Sequence, residues 1–557
     1  MANPVLEPAA STAPARAELT GGATPRQAAA LPLRTGSTVI PRPGLALLVL
    51  LGIFAVVASS FSSHYTVDDA FISLRYARNL AQGHGLVYST DGSERVEGYT
   101  NFLWVVMEAG LFRMGLEREI LPVLKGVGIG FGLLFLLACY AVAKRLFDSA
   151  DAGLAAVFLI VCSGYFAFWS VGGLETPLYL FLLIAALYCC LRMEEWRFTA
   201  LAAACFVAAA LTRPEAAALF AGIAAVELAA RVWGKSEVRS SRWILAAAIF
   251  AAVYGTYFVL RWHYYGYFLP NTFYAKTGGA AGMGSALRHV AGRGAASATF
   301  FLLIVPFSGI LAAAYPLRLF LTRFRIAWLF AIGLLGLSFL AREEWMPGFR
   351  YELPAGALFA ILLAYPLAEY LRRHGRGVAV ATSCGLMVFL AYPCAVTYTA
   401  SRHEFGNLRR AHIALGEWLR DATPPAISVA GWDQGAIPYY SEKSRIIEID
   451  PEGLLSNYLT HHPFSNDYVF EQKPDILLLP SGALNLLPPP PPGGTQTMDS
   501  LYYDARLATN YDFLAAFAYD PAYFVRVYKR RDLAVSAEKI AHLQALAQRS
   551  VVELNRN

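Results

Sequence analysis

His64-Tyr65-Thr66-Val67-Asp68-Asp69-Ala70-Phe71 follows the first membrane-length apolar run, near residues 44–60, by only a few positions. Two adjacent carboxylates at that depth are costly to hold beside hydrocarbon, so acids there mark function by default. The rest of the chain decides what they face. Of its 557 residues, 56% are hydrophobic and 15% charged, and the mean hydropathy is +0.43. Apolar runs of about 17–23 residues recur, each matching the thickness of a bilayer core. The chain therefore reads as a polytopic α-helical membrane protein. Its net charge of +6 is spread over short loops, which excludes nucleic acid as a partner. All seven cysteines lie in apolar segments, so neither a disulfide framework nor a CxxC-type metal site is expected.

About eleven spans are expected on length and hydropathy, near 44–60, 121–143, 153–169, 176–191, 198–212, 214–230, 243–260, 297–316, 325–340, 354–370 and 377–397. The stretch 102–118 reads either as an interfacial helix or as part of a long, tilted span. Lys144-Arg145, Arg192/Arg197, Arg231 to Arg242, Arg318 to Arg325 and Arg372 to Arg376 all fall on one side in this count. Basic loops stay cytoplasmic, which places that side inside and the Asp68-Asp69 loop outside. Residues 1–42, rich in Ala, Pro, Thr and Gly, are expected to be a disordered cytoplasmic tail. Residues 43–398 would form the membrane domain and 399–557 an extracytoplasmic α/β domain. Within the latter, 404–421 looks helical, and short apolar runs at 426–430, 446–449 and 475–479 look like strands of a partly parallel sheet. The prolines at 488–492 predict an extended connection.

Between Asp68 and Trp104 lie Arg75, Arg78, Glu94, Arg95 and Glu97, interleaved with tyrosines. Phe71, Leu74 and Leu80 recur at helical spacing, predicting an amphipathic helix on the membrane surface. Asp69 at its start has a plain structural reading as a helix cap. A carboxylate here also suits general-base work on a sugar hydroxyl, and two acids are compatible with a divalent cation. An anionic leaving group would need cations on the same face. Arg75, Arg213, Arg261, His263, Lys276, Arg342 and Arg350 qualify, since Arg binds phosphate bidentately and Lys as a point charge. The competing reading is that they snorkel to lipid headgroups. There is no Walker-type loop, so ATP-driven transport is unsupported.

The run Asp68-Asp-Ala-Phe-Ile-Ser-Leu-Arg75-Tyr-Ala-Arg-Asn-Leu-Ala-Gln-Gly-His84-Gly-Leu-Val-Tyr88, followed by Glu94-Arg-Val-Glu97-Gly-Tyr99-Thr-Asn-Phe-Leu-Trp104, resembles a family of GT-C integral-membrane glycosyltransferases related to the terminal β-arabinofuranosyltransferases of mycobacterial cell walls. Gly173-Leu-Glu175-Thr-Pro177, Leu211-Thr-Arg213-Pro-Glu215, Tyr264 to Lys276, Met346-Pro-Gly-Phe-Arg350-Tyr351 and Asp433-Gln-Gly-Ala-Ile-Pro-Tyr439 are similar in the same order. The resemblance covers roughly residues 45–455, and little after them. It implies a GT-C fold and transfer of a sugar, arabinofuranose in the namesake enzymes, from a polyprenyl-phosphate donor to a cell-envelope glycan acceptor outside the plasma membrane. On this resemblance Asp68 or Asp69 is the catalytic base, with Asp68 favoured. Arg75, Arg213, Lys276 and Arg350 would hold the donor phosphate. His84, Glu97, Tyr99, Glu175, Glu215, His263, Asn271, Tyr351 and Asp433 would contact substrate. The rival readings are a lipid-linked sugar flippase and a non-catalytic glycan-binding membrane protein. A flippase commonly shows inverted repeats and midplane charges; here no repeat is visible and the charges collect on one face.

Overall fold

The first helix begins at Pro43, where a fixed φ and a missing N–H suit a helix start. It runs to Ser62 as α1 and delivers the acidic loop at its far end. The computed structural model describes residues 42–232, 240–277, 324–340, 346–482 and 498–555. The span expected at 297–316, Arg342 and the proline run at 488–492 lie outside them. Five described helices are long and apolar enough to cross a membrane. They include α1, α4 (Ile120–Phe147), α10 (Ser240–Tyr265), α13 (Leu353–Arg373) and α14 (Arg376–Ser401). Shorter apolar helices pack among them: α5 (Ala150–Ser163), α7 (Thr176–Cys190), α8 (Trp196–Thr212) and α12 (Arg325–Leu340). Between α8 and α10 comes α9 (Glu215–Val232), and after α10 the short α11 (Asn271–Thr277).

The expected span at 153–169 is broken. Gly164 adopts φ +71°, ending α5, and a short helix, α6 (Tyr165–Trp169), continues in a new direction. A Cβ at Gly164 would press on the Cys394 side chain at 2.8 Å.

The amphipathic helix is α2 (Ala70–Ala81), and it does not lie on a membrane surface. Ten of its twelve residues are buried, because α3 (Phe102–Arg113) covers one side and the C-terminal region another. Tertiary packing overrides the amphipathic pattern here: the polar face is sealed by another domain's backbone. Asp69 occupies the N-cap position but makes no capping hydrogen bond, so the capping reading fails.

After α14 a helical stretch runs from Glu404 to Ala422, with a π-helical turn at Leu408–Ile413. It leads into a five-stranded sheet of order β2-β1-β3-β5-β4. β1 (Ser428–Gly431), β2 (Arg445–Glu448) and β3 (Ile476–Ser481) are parallel, as expected. The sheet is completed by an antiparallel pair that the strand pattern does not reveal, β4 (Tyr511–Asp520) and β5 (Tyr523–Arg530). A closing helix, Ala537–Leu554, buries Leu543 and Ala547, and its Ser550 Oγ accepts the Ala518 N–H (2.9 Å). Ala430, Ile447, Leu477 and Leu479 form a core with Phe470 and Tyr528 on one face of the sheet.

Candidate active site

Four contacts seat the acidic loop. Lys125 of α4 donates Nζ–H to the carbonyls of Ser62 (2.5 Å) and Tyr65 (2.9 Å). The Val67 N–H reaches the Gly172 carbonyl (3.1 Å). Gly173, at φ +87°, lies so close to α2 that a Cβ would meet that of Ala70 at 2.9 Å; its carbonyl accepts the Trp104 indole N–H (3.2 Å). Thus the Gly-Leu-Glu-Thr-Pro motif acts first as the bed for Asp68 and Asp69.

From the other side the C-terminal sheet closes on the loop. Asp68 Oδ1 accepts the Ala436 N–H (3.0 Å) and lies 3.4 Å from His412 Nδ1. Gly435 permits this approach, since a Cβ there would sit 2.2 Å from Asp68 Oδ2. Both acids border a cleft of about 710 Å³ whose far wall is the C-terminal domain. The parallel strands β1 and β2 point their carboxyl ends into it, bringing Asp433 and Gln434 from one, Glu448 and Asp450 from the other. This is where open α/β sheets bind ligands. Trp432, Tyr519 and Tyr523 add aromatic surface. Eight carboxylates border the cleft, with His412 and no Lys or Arg beside them among its described lining residues.

Burial sets the protonation of this wall. Removed from water, Asp433 and Glu448 rise above the ordinary carboxylate range, and Asp450 is pushed up to about 6. Tyr523 donates its hydroxyl to Asp433 (2.6 Å), and the Leu455 N–H supports Glu448 (2.7 Å).

Asp69 also borders a second, smaller cavity of about 80 Å³, shared with Ser73, Asn101, Glu175, Arg213 and Arg350. Here the cations gather. Arg213, at the α8–α9 joint, pairs with Glu175 (2.9 Å) and Glu215 (2.7 Å) and faces the Tyr351 ring at 4.9 Å. Asn101 braces Glu175 (3.0 Å). Arg350 follows a strained turn: Gly348 has φ +96° and Phe349 φ +56°. Such outliers cluster at sites whose surroundings enforce them. The Trp169 indole N–H holds the turn through the Gly348 carbonyl (2.8 Å), and Arg350 lies over the Trp169 and Tyr351 rings at 5.4 and 5.2 Å. Both arginines also line a separate small cavity among the helices, beside Leu334, Leu337 and Pro354.

The expected site residues divide. Asp68, Asp69, Tyr99, Glu175, Glu215, Arg213, Arg350, Tyr351 and Asp433 line these neighbouring cavities. Arg75 does not: it is buried, with its guanidinium nitrogens committed to the carbonyls of Tyr88 (2.7 Å), Pro438 and Lys443 (2.6 Å each). It clamps α2 to the C-terminal domain, and the phosphate-binding role is corrected accordingly. Glu97 likewise forms a buried pair with Arg261 (2.6 Å). Asn271, at the start of α11, ties to Asn457 (2.9 Å). His84 and His263 are exposed and border neither cavity. α11 walls the site through Thr272 and Ala275; the side chain of Lys276 is outside the described residues.

His412, Trp432, Glu448, Asp450, Tyr519 and Tyr523 join the site without having been expected there. Glu448 and Asp450 carry a signal, because they end a parallel strand just as Asp433 does. His412 carries none.

The class follows from helices that carry a juxtamembrane acid pair, topped by a C-terminal α/β domain. The chain has the GT-C fold. It is similar to ArnT from Cupriavidus metallidurans, solved bound to undecaprenyl phosphate, with TM-score 0.56 at 14% identity, covering 88% of this chain and 98% of that one. It is similar also to the oligosaccharyltransferase AglB from Archaeoglobus fulgidus, solved with an inhibitory peptide and a dolichol-phosphate, with TM-score 0.52 at 13% identity, covering 79% and 70%. A family described as a domain of unknown function (DUF8728) matches residues 402–536. No curated protein matches the sequence significantly.

Proposed function

We propose that this protein is a membrane glycosyltransferase that moves a sugar from a polyprenyl-phosphate donor to a glycan acceptor on the outer face of the plasma membrane. One observation carries the reading: Asp69 borders both a cavity holding Arg213 and Arg350 and a larger cleft holding Asp68. The lipid phosphate would lie against the two arginines, its chain among Leu334 and Leu337 and its sugar beside Asp69. The acceptor hydroxyl would enter the acidic cleft. Two similar folds were solved with polyprenyl or dolichol phosphate, which supports the same donor class.

Asp68 faces the acceptor side and takes the hydroxyl proton as the oxygen attacks the anomeric carbon. The carbon–phosphate oxygen bond breaks, and its electron pair leaves with the lipid phosphate. Arg213 and Arg350 stabilise that charge, their positions fixed before reaction. Asp69 orients the donor sugar. Among the described residues no three His, Cys, Asp or Glu side chains converge as metal ligands, and Asp68 Oδ1 is engaged by Ala436 and His412. Arabinofuranose, from the family resemblance, is the first sugar to test, on a cell-envelope glycan.

Purified protein in lipid, given labelled polyprenyl-phosphate arabinofuranose and an envelope glycan, is expected to label the glycan. Asp68→Asn should slow transfer about 10²- to 10⁴-fold while retaining donor binding. Full transfer by a folded Asp68→Asn variant would sink the assignment.

A further inference from the structure

We infer that His412, contributed by the C-terminal domain, is the positioning residue of Asp68, held between Asp68 and Asp433 so that docking of that domain completes the base. The inference rests on the proposed sugar transfer for its kinetic consequences, and on geometry alone for its electrostatic ones.

His412 stands in the π-helical turn Leu408–Ile413, one of few places where a helix widens by a residue. Such turns recur at functional sites because they re-aim side chains. The imidazole is almost fully buried. Its Nδ1 lies 3.4 Å from Asp68 Oδ1 and its Nε2 3.6 Å from Asp433 Oδ2. The ring packs on Tyr519 at 4.5 Å between centroids. Nε2 has no hydrogen bond among the described residues, although His412 borders the cleft. A buried histidine with merely structural work normally satisfies both nitrogens. This one instead spans two carboxylates from different parts of the chain.

The groups facing it come from every packed element. Asp68 belongs to the membrane domain's acidic loop and Glu404 to the turn before the π-helix. Asp433 follows β1, Tyr519 and Asp520 end β4, and Tyr523 begins β5. Arg410, in the same turn, points away to the Tyr519 carbonyl (2.6 Å), where Glu553 of the closing helix approaches it. Burial opposes a charge on His412, but Asp433, Asp68 and Glu404 outweigh it and raise its pKa above the ordinary imidazole value. An imidazolium there fixes the Asp68 carboxylate in one rotamer beside the cleft.

The test uses the full chain in lipid nanodiscs with His412→Gln, Asp433→Asn, Asp68→Asn and the double variant His412→Gln/Asp68→Asn. His412→Gln should lower kcat by about 10- to 100-fold with donor KM unchanged, and should move the acid limb of the pH profile. The double variant should be no worse than Asp68→Asn alone. Independently of activity, the His412 imidazole resonance should titrate at lower pH in Asp68→Asn and in Asp433→Asn than in wild type. Additive losses in the double variant, or an imidazole titration indifferent to both acids, overturn the inference. If wild type transfers no sugar, the function fails but the imidazole titration still decides this point. Should His412→Gln misfold, Asp433→Asn supplies both readouts.

Discussion

The two cavities that meet at Asp69 are opposites. The membrane-side cavity holds Arg213 and Arg350, each packed on aromatic rings and neutralised or steered by residues of the helical bundle. The outer cleft is lined by eight carboxylates and has no described Lys or Arg in its wall. One cavity offers two guanidiniums set among acids, and the other offers carboxylates and a single histidine. A lipid phosphate would therefore stay on the arginine side, and charge, more than shape, would separate donor from acceptor.

The sharpest way to break this contrast is at the junction. Asp68→Asn should cost about 10²- to 10⁴-fold in transfer rate, the range of a lost general base, with donor affinity retained; a radiolabel assay beside donor-binding measurements checks both. Next comes the arginine side. Arg213→Ala removes the ion-pair partner of the buried Glu175, which should destabilise the protein by about 3–5 kcal/mol; thermal unfolding in detergent reads it. Arg213→Lys should keep more of the fold yet weaken donor binding, because an ammonium cannot reproduce the bidentate fork. A smaller effect is expected at the seam. Gly435→Ala drives a methyl into Asp68 and should cost about 1–3 kcal/mol as overpacking, together with transfer activity.

The smallest effect concerns the acidic wall itself. Asp450, raised by burial from 3.8 to about 6, binds its proton more tightly in the folded state than in the unfolded chain. Its contribution is therefore unfavourable above pH 6 and relieved as pH falls toward 4. Asp433 and Glu448 shift in the same direction. Between pH 7 and 5.5 the melting temperature should rise by about 2–4 °C, and Asp450→Asn should flatten that rise. A melting temperature that falls in this window would show that the wall is not strained by its own charge.

Legibility followed the range of the interactions. The acid pair, Arg213 and Arg350 are visible in short polar motifs between apolar runs, where a charge near a membrane has few innocent explanations, whereas Glu175, Tyr351 and Asp433 are legible only through the family resemblance. Arg75 shows the limit. Its residue type and position fit a phosphate ligand, yet two of its three hydrogen bonds go to carbonyls more than 360 positions away in the chain (separations of 363 and 368). Nothing local could reveal that. The same holds for α2, whose amphipathic pattern suggests a membrane surface and whose polar face instead meets the C-terminal domain. The β4–β5 hairpin is hidden for a different reason: Leu514-Ala515-Ala516-Phe517-Ala518 carries no alternation of apolar and polar residues, and alanine favours strands weakly.

By itself, the sequence determined that this is a multi-pass helical membrane protein with acids beside the bilayer and a parallel-sheet domain after it. Hydropathy, loop charge and short strand patterns are local, and they suffice for that. Only the tertiary structure decided that Asp68 is shared between two domains, that Asp69 borders both the arginine-bearing cavity and the carboxylate-lined cleft, and that His412 stands behind the acid. Those facts depend on contacts between residues hundreds of positions apart, and burial, which gives such contacts their electrostatic force, exists only once the chain has folded.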